Sequence, residues 1–366
     1  MTDREAMSQA LSLAVLGEGE TKPNPLVGCL VVKDGHVVGA GFHRAAGEAH
    51  AEAAALAAAA GRARGATLYV NLEPCAHHGR TPPCVEAIVA AGIRRVVAGT
   101  RDPNPLVNGR GVAALQAAGI AVDVGLMEEA CRAVNAGFLS AHERARPAVT
   151  IKAAQSWDGQ IAAKGGSSTW ITSPAARRYA HRMRAQHDAV LVGAATVRRD
   201  DPRLTVRLPG VEAQRLRVVV TMSADLDPRS KIFLGCSPDT PRTRVYLPSG
   251  STAPGAAALR GVADLVPVDA SGEGLDLGAV LGDLAKEGIR SLLVEGGGRI
   301  SAAFLNAGLV DDLALFIAPS LIGARQGTPL IDGEAAEAPD RAPRLRLRAI
   351  VPIGPDRLVL ARVAPA

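Results

Sequence analysis

The stretch "NLEPCAHHGRTPPC", Asn71 to Cys84, carries two cysteines and two adjacent histidines, all four potential metal ligands. Upstream, "HAE" sets His50 and Glu52 two positions apart. Zinc favours cysteine thiolate and histidine nitrogen, with four protein ligands in structural sites and three plus a water in catalytic ones. The C-x8-C spacing of Cys75 and Cys84 is weak evidence alone. The combined order H-x-E, then P-C, then C is that of the zinc deaminases, which otherwise show C-x-x-C. In that scheme His50, Cys75 and Cys84 hold the metal and the fourth position takes water, whose pKa falls toward neutrality. Glu52, not a ligand, moves protons from the water to a ring nitrogen and the departing ammonia. Cys84 stands near an expected helix start, which favours the thiolate.

Each residue also has an ordinary reading. A buried cysteine is usually a small hydrophobe, and a helix glutamate is usually solvated. Motif order, with Pro74 directly before Cys75, favours the metal site. Cys29, Cys131 and Cys236 lack such company and read as packing residues. A closed site would leave no room for water, so His77 and His78 read as part of a substrate-facing loop, with Arg80 suited to a phosphate.

A second constellation is "SLLVEGGGRISAAFLNAG", three glycines between a strand and a helix. Glycine lets backbone approach a phosphate, and the helix N-terminus supplies N–H groups. The run reads G-x-G-x-x-S, near the dinucleotide fingerprint without matching it. No acid follows about 20 positions on to hold a ribose diol, which favours NADPH over NADH. A tight strand–helix turn is the alternative. "TVRRDDPRLTVR" sets two aspartates and four arginines in twelve residues. It suits a phosphorylated, polyhydroxylated ligand, or a solvated loop with local ion pairs.

The elements that must position these residues alternate. "CLVVKDGHVVGAGFH" predicts a hairpin about Asp34-Gly35. "GEAHAEAAALAAAAGRARG" predicts a helix ended by glycine, "ATLYVNL" a strand, and "TPPCVEAIVAAG" a helix with proline near its start. "RRVVAGT", "GRGVAALQAAG" and "IAVDVG" continue as strand, helix and strand. The charged segment Glu143 to Arg146, closed by Pro147, reads as a linker. Beyond it, "AVTIKAA", "AVLVGA", "RVVVTM", "TRVYL", "ADLVPV", "SLLVE" and "LALFIAPSLI" read as strands. "SPAARRYAHRMRAQ", "LGAVLGDLAKEG" and the segment after the glycines read as helices, and the tail as a closing hairpin. Alternating strands and helices predict two α/β domains.

Bulk properties narrow the class. The 366 residues are 48% hydrophobic and 21% charged, as in globular proteins. The N-terminus has no apolar run of a secretory signal, and no stretch reaches the roughly 18 apolar residues of a membrane span. Five cysteines without framework spacing favour a reducing compartment, hence the cytoplasm. Up to Arg146 there are 14 basic and 14 acidic residues, so the whole net charge of +5 lies in the C-terminal part. With aromatics at 3%, that excess suits small phosphorylated ligands better than nucleic acid, although scattered solvated arginines account for it equally.

"NPLVGCLVVKDG", "GEAHAE", "LEPCAHHGRTPPC", "DPNPLVNGRG", "WDGQIA", "WITSPAARR" and "ATVRRDDPRLTVR" closely resemble the bifunctional deaminase/reductase family of bacterial riboflavin biosynthesis, from end to end of the chain. The "HHGRTPPC" insertion separates the sequence from cytidine and tRNA adenosine deaminases. The resemblance implies a cytidine-deaminase-like three-layer domain over residues 1–145 and a dihydrofolate-reductase-like domain over 147–366. It implies zinc-dependent deamination of 2,5-diamino-6-ribosylamino-4(3H)-pyrimidinone 5′-phosphate, then NADPH-dependent reduction of the ribosyl group to ribityl. By motif match His50, Cys75 and Cys84 bind zinc and Glu52 is the proton shuttle. The cofactor positions are Ala154, Trp170, Thr196, Asp200, Ser223 and the loop Gly297, Gly298, Arg299, Ile300, Ser301, Ala302 and Ala303. The substrate positions are Ser168, Arg184, Leu204, Arg207 and Glu295, with Arg184 and Arg207 gripping the phosphate and Asp200 a candidate proton donor. Trp157 replaces the leucine expected in "SLDG" and is expected to alter packing beside the cofactor. The family implies a homodimer or homotetramer, with no nucleic-acid or membrane partner. The competing readings are a nucleic-acid base deaminase with a non-catalytic C-terminal domain and a zinc-stabilised binding protein.

Overall fold

Asp34 and Gly35 both adopt positive φ, 49° and 76°, as a two-residue type I′ turn requires. They join β1 (Gly28–Lys33) to antiparallel β2 (His36–Phe42), the hairpin expected from the sequence. The computed structural model describes residues 1–78, 82–166, 170–211, 215–235, 243–251, 254–272, 274–334 and 337–364. The chain divides into two compact units, Met1–Ala145 and Arg146–Ala366.

In the first unit β3 (Thr67–Val70), β4 (Arg95–Ala98) and β5 (Ala121–Val124) complete a sheet of order β2-β1-β3-β4-β5. β3, β4 and β5 are parallel, and β1 is antiparallel to β3. The helices are α1 (Asp3–Ala14), α2 (Ala51–Ala59), α3 (Cys84–Ala90), α4 (Arg110–Ala117), α5 (Glu128–Val134) and α6 (Ala136–Arg144). Successive strand residues face opposite ways. Val31, Leu68 and Val96 pack with Ala55, Ile88 and Leu115 of α2, α3 and α4. Leu30, Tyr69 and Val97 pack with Met7 of α1 and Cys131 of α5. The result is the expected three-layer α/β/α arrangement.

α2 is nearly all alanine because it lies almost on the strand. A Cβ at Gly39 would come 2.2 Å from the Ala55 carbonyl oxygen, and one at Gly41 2.5 Å from the Ala55 nitrogen. Glycine on β2 and alanine on α2 let the two backbones approach, and that approach fixes the helix start where His50 and Glu52 stand. The helix ends on Ala60 in the left-handed region (φ 48°, ψ 53°), one residue before the expected glycine.

The expected linker is corrected. Glu143 and Arg144 complete the last turn of α6, and Glu143 pairs with Arg132 at 2.7 Å. Arg146 opens the second unit and pairs with Asp311 at 2.8 Å. α5 and α6 are absent from the sequence reading because Asn135 interrupts their periodicity. Its buried side chain accepts from the Leu26 N–H and donates to the Leu26 carbonyl.

The second unit contains β6 (Ala148–Ser156), β7 (Gln160–Ala162), β8 (Ala189–Gly193), β9 (Leu216–Val220), β10 (Thr243–Pro248) and β11 (Ala263–Val268). These are followed by β12 (Ala270–Ser271), β13 (Gly274–Leu275), β14 (Ser291–Val294), β15 (Asp312–Ala318), β16 (Thr328–Pro329), β17 (Leu345–Ile353) and β18 (Asp356–Val363). Its helices are α7 (Pro174–Gln186), α8 (Ala194–Asp200), α9 (Pro254–Leu259), α10 (Leu277–Lys286) and α11 (Gly298–Asn306). Nine strands form one sheet, β11-β10-β9-β8-β14-β6-β15-β18-β17. It is parallel from β11 to β15, and the β17–β18 hairpin is an antiparallel edge. Val190, Val192 and Leu293 pack toward α7 and α8, while Leu191, Leu292 and Val294 pack toward α10 and α11. Helices on both faces explain why β8 and β14 read as unbroken apolar runs. Among the described residues no helix is long and apolar enough to cross a membrane.

Candidate functional site

His50 is the cap residue before α2 and stands outside helical geometry (φ −69°, ψ 160°). Glu52, the second residue of the helix, is buried. Cys75 lies in the loop after β3, and Cys84 is the first residue of α3. The loop closes on that helix: the Cys84 N–H donates to Cys75 Sγ at 3.4 Å and the Val85 N–H to the Cys75 carbonyl at 3.2 Å. His50 Nδ1 lies 3.2 Å from Cys84 Sγ and 3.6 Å from Cys75 Sγ. The three candidate ligand atoms all lie within 4.8 Å of one another. One imidazole nitrogen and two sulfurs, gathered beside a cavity, fit zinc with an open coordination position.

The local electrostatics suit that use. A hydrogen bond from the Cys84 thiol, with His50 adding to it, holds Cys75 well below the usual thiol range, toward the thiolate form that a metal requires. The same contact and burial push Cys84 up. Burial, then the charge on Cys75, raises the Glu52 carboxyl to about 7. Glu52 can therefore hold or release a proton near neutral pH.

A cavity of about 400 Å³ opens beside these groups, lined also by Asn24, His43, His77 and Asp102. The adjacent histidines part company. His77 lines the cavity and its buried Nδ1 has no partner among the described residues, whereas His78 is exposed, 3.3 Å from Glu86. Arg80 lies outside the described residues. His43 faces the Ala49 carbonyl through Nδ1 at 3.1 Å, which must therefore carry the proton. Nε2 then accepts from the Asn24 amide at 3.0 Å. Asp102 is buried, and burial pushes its carboxyl up to about 6. Glu73 locks the surrounding loops by accepting N–H bonds from Asp102, Gly109 and Val112 at 3.3, 3.0 and 3.1 Å. Asn24, His43 and Asp102 were assigned no role from the sequence. The signal for Asp102 was its place just after β4, because ligands in such sheets gather beyond the carboxyl ends of parallel strands.

In the second unit a cavity of about 1700 Å³ lies over the ends of β6, β14, β8 and β9. Every described residue expected to touch cofactor or substrate lines it except Ser301, which is buried in α11, its hydroxyl without a partner among the described residues. Ser168 lies outside the described residues. The three glycines do different things. A Cβ at Gly296 would strike Ile300 at 1.6 Å, and one at Gly298 would lie 2.5 Å from the Pro329 carbonyl. At Gly297 a Cβ would meet only Thr196 Oγ1, at 4.0 Å. Gly297 therefore faces open cleft at the head of α11, where a diphosphate would be cradled. Open cleft at Gly297 and a helix N-terminus with no side-chain cap fit the diphosphate of a dinucleotide.

Arg184 grips Glu295 through two nitrogens at 2.6 and 2.9 Å and donates to the Thr205 carbonyl at 3.3 Å. Its fork is thus largely engaged within the protein, while Arg207 is exposed. Lys152, absent from the sequence reading, lies 3.6 Å from Glu295. Burial pushes the Glu295 carboxyl up, but Arg184 and Lys152 outweigh it and hold it at about 2. Trp170 and Leu204 both have positive φ, 60° and 52°, strain of a kind that clusters at binding sites. The Arg177 guanidinium stacks 4.1 Å from the Trp170 ring centre. Trp157 corrects its expectation: its side chain is 70% exposed and does not line the cleft.

Residues 1–100 match the family model described as the cytidine and deoxycytidylate deaminase zinc-binding region, and residues 147–359 match the RibD C-terminal domain. The chain is 42% identical over 351 residues to riboflavin biosynthesis protein RibD of Bacillus amyloliquefaciens, covering 96% of this chain and 93% of that one. It is 42% identical over 371 residues to the RibD of Escherichia coli K12, covering 97% and 98%. Among solved structures it resembles Acinetobacter baumannii RibD, with a TM-score of 0.82, 37% identity and 99% of both chains covered. It also resembles a diaminohydroxyphosphoribosylaminopyrimidine deaminase/5-amino-6-(5-phosphoribosylamino)uracil reductase from Thermotoga maritima, with a TM-score of 0.81, 34% identity and 99% of both chains covered.

Proposed function

The chain belongs to the RibD family, the deaminase/reductases of riboflavin biosynthesis, and from that premise we propose which residues carry each reaction and on what substrate. The first unit hydrolyses the diaminopyrimidinone ribosylamine 5′-phosphate at ring carbon 2. The second reduces the ribosyl group of the resulting aminouracil phosphate to ribityl with NADPH. The convergence of His50, Cys75 and Cys84 beside buried Glu52 carries this reading.

His50, Cys75 and Cys84 would hold zinc, which supplies Lewis-acid activation of water. Glu52 takes a proton from the attacking water on its carboxylate and gives it to the ring nitrogen, then carries the remaining proton of the added hydroxyl to the departing amine, which leaves as ammonia. Its position near neutrality suits both directions. Asn24, His77 and Asp102 line the cavity around the ring and its ribosyl phosphate and orient carbon 2 toward the attack.

In the second unit, Gly297, Gly298 and the first turn of α11 would hold the diphosphate of NADPH, which supplies the hydride. Ionised Glu295, fixed by Arg184, sets Lys152 Nζ at the substrate end of the cleft. Lys152 lines the cleft 3.6 Å from that carboxylate and is the better-placed donor to the sugar, ahead of exposed Asp200. Arg207 takes the substrate phosphate. On the same reading the protein works in the cytoplasm as a homodimer or homotetramer, which light scattering tests. The function is tested by incubating zinc-loaded protein with the diaminopyrimidinone phosphate and NADPH. Ammonia and a ribityl product are expected. A deaminated but unreduced product would refute the second-unit assignment.

A further inference from the structure

One face of α7 looks into the cleft of the second unit. Arg177, His181 and Arg184 stand on it at i, i+4 and i+7, and all three line the cavity. The helix buries Ala176 and Met183 in the core, so these groups are presented from a fixed support. Arg177 stacks on Trp170, and Arg184 holds Glu295. No step of the reduction uses His181.

α7 faces residues 204–207, a segment without regular structure that follows α8. Leu204 and Val206 are buried, whereas Arg207 is exposed and lines the cleft. Two bonds tie this segment to the helix. The Thr205 carbonyl accepts from Arg184 Nη1 at 3.3 Å, and the Arg207 N–H donates to His181 Nδ1, also at 3.3 Å. Arg207 Nη1 in turn donates to the Thr205 hydroxyl at 3.3 Å. The segment's carbonyl and N–H are thus held from adjacent turns of one helix.

A neutral imidazole has one acceptor nitrogen, and an imidazolium has none. Burial, then the charges of Arg184 and Arg207, pushes His181 down to about 4. The ring is therefore neutral at neutral pH and able to accept the Arg207 N–H. Arg184 has its fork engaged with Glu295, so Arg207 is the guanidinium of this pair that reaches an anion. An exposed arginine on irregular chain loses backbone and rotamer freedom when it grips a phosphate. Fixing its backbone beforehand removes part of that cost.

We propose that His181 is a positioning residue for the reduction: by accepting the Arg207 N–H it aims the Arg207 guanidinium at the phosphate of the aminouracil substrate. This rests on the reading above that Arg207 takes that phosphate. The test measures KM and kcat at saturating NADPH for the full chain, with the aminouracil ribosylamine 5′-phosphate and with the same compound lacking its phosphate. The variants are His181→Phe, His181→Ala, His181→Gln, Arg207→Ala and the double variant His181→Phe with Arg207→Ala. His181→Phe keeps ring volume and removes the acceptor. It is expected to raise KM for the phosphorylated substrate about fivefold to tenfold, with kcat little changed. The unphosphorylated compound should show no such loss. His181→Ala should repeat the pattern, which separates the acceptor from ring volume. His181→Gln, whose side-chain oxygen can accept the same N–H, should recover most of the loss. In the Arg207→Ala background, His181→Phe should add nothing further. Equal losses with both compounds overturn the inference, because they mark a general structural role. A fully additive loss in the double variant overturns it as well and leaves the Arg207 reading standing. An Arg207→Ala protein with unchanged KM for the phosphorylated substrate sinks the phosphate reading itself, and the inference with it.

Discussion

The two cavities are built from different materials. The first, about 400 Å³, is walled by ionisable side chains that converge from a helix cap, a helix start and the ends of two strands. The second, about 1700 Å³, is walled largely by backbone, glycine and small side chains along four strand ends, with one buried ion cluster at its substrate end. In the first, the protein's own groups do the chemistry. In the second, the protein chiefly positions a reagent against a substrate. Substitutions in the first should therefore act all-or-none on rate, and those in the second should be graded.

The largest effect expected is Glu52→Ala. Ammonia release should fall by about 10²–10⁴, while bound zinc, measured by metal analysis, stays at wild-type content. Ammonia release at the wild-type rate would remove Glu52 from the chemistry and with it the contrast between the cavities. Next is Glu295→Gln, which strands Arg184 and Lys152 without their counter-charge. Losing one partner of a buried ion pair costs about 3–5 kcal/mol, readable by urea denaturation.

The pH dependence of that cluster has a definite sign. The Glu295 carboxyl sits at about 2 in the folded state against an ordinary 4.5. A depressed carboxyl pKa gives stabilisation that is complete above the unfolded value and lost as pH falls through the folded one. The cluster's contribution should hold above about pH 4.5 and disappear toward pH 2. Glu295→Gln should flatten that acid limb. An identical acid limb in the variant would show that the cluster does not govern it.

Smaller, and graded as the comparison requires, are the glycine substitutions. Gly297→Val should raise the KM for NADPH about tenfold with little change in melting temperature, because the new atoms enter open cleft. Gly298→Ala should instead lower the melting temperature, by the equivalent of about 1–3 kcal/mol, because its Cβ meets the Pro329 carbonyl. If the two exchanged behaviours, the placement of the cofactor at Gly297 would be wrong. Smallest is Trp157→Leu. The ring is exposed and outside the cleft, so stability should shift by no more than about 0.5 kcal/mol and the NADPH KM should not move.

Legibility in the sequence followed the same division. The gathering of His50, Cys75 and Cys84 beside Glu52 is legible because metal-ligand chemistry restricts residue type, and a helix start restricts spacing. Lys152 is not. A lone lysine in the apolar strand "TIKAA" acquires meaning only when β6 is registered against β14, with Ile151 opposite Val294, next to Glu295. Asn24 and Asp102 are hidden because polar residues beside proline read as turn formers, and His43 because it only closes the expected hairpin segment. Their convergence depends on sheet order rather than on neighbours in the chain. The hairpin at Asp34-Gly35 and the runs of β8 and β14 were plain, since turn chemistry and two-sided burial leave local marks. α5 and α6 were missed where Asn135 breaks the repeat to serve the Leu26 backbone.

One chain pairs hydrolysis in a side-chain-walled pocket with reduction in a backbone-walled cleft. The most direct measurement follows ammonia and NADPH together during turnover of the diaminopyrimidinone phosphate by the zinc-loaded chain. The predicted result is one ammonia released for each NADPH oxidised, with ammonia leading in time. NADPH oxidation without prior ammonia release, or ammonia release with no NADPH consumed, would contradict it.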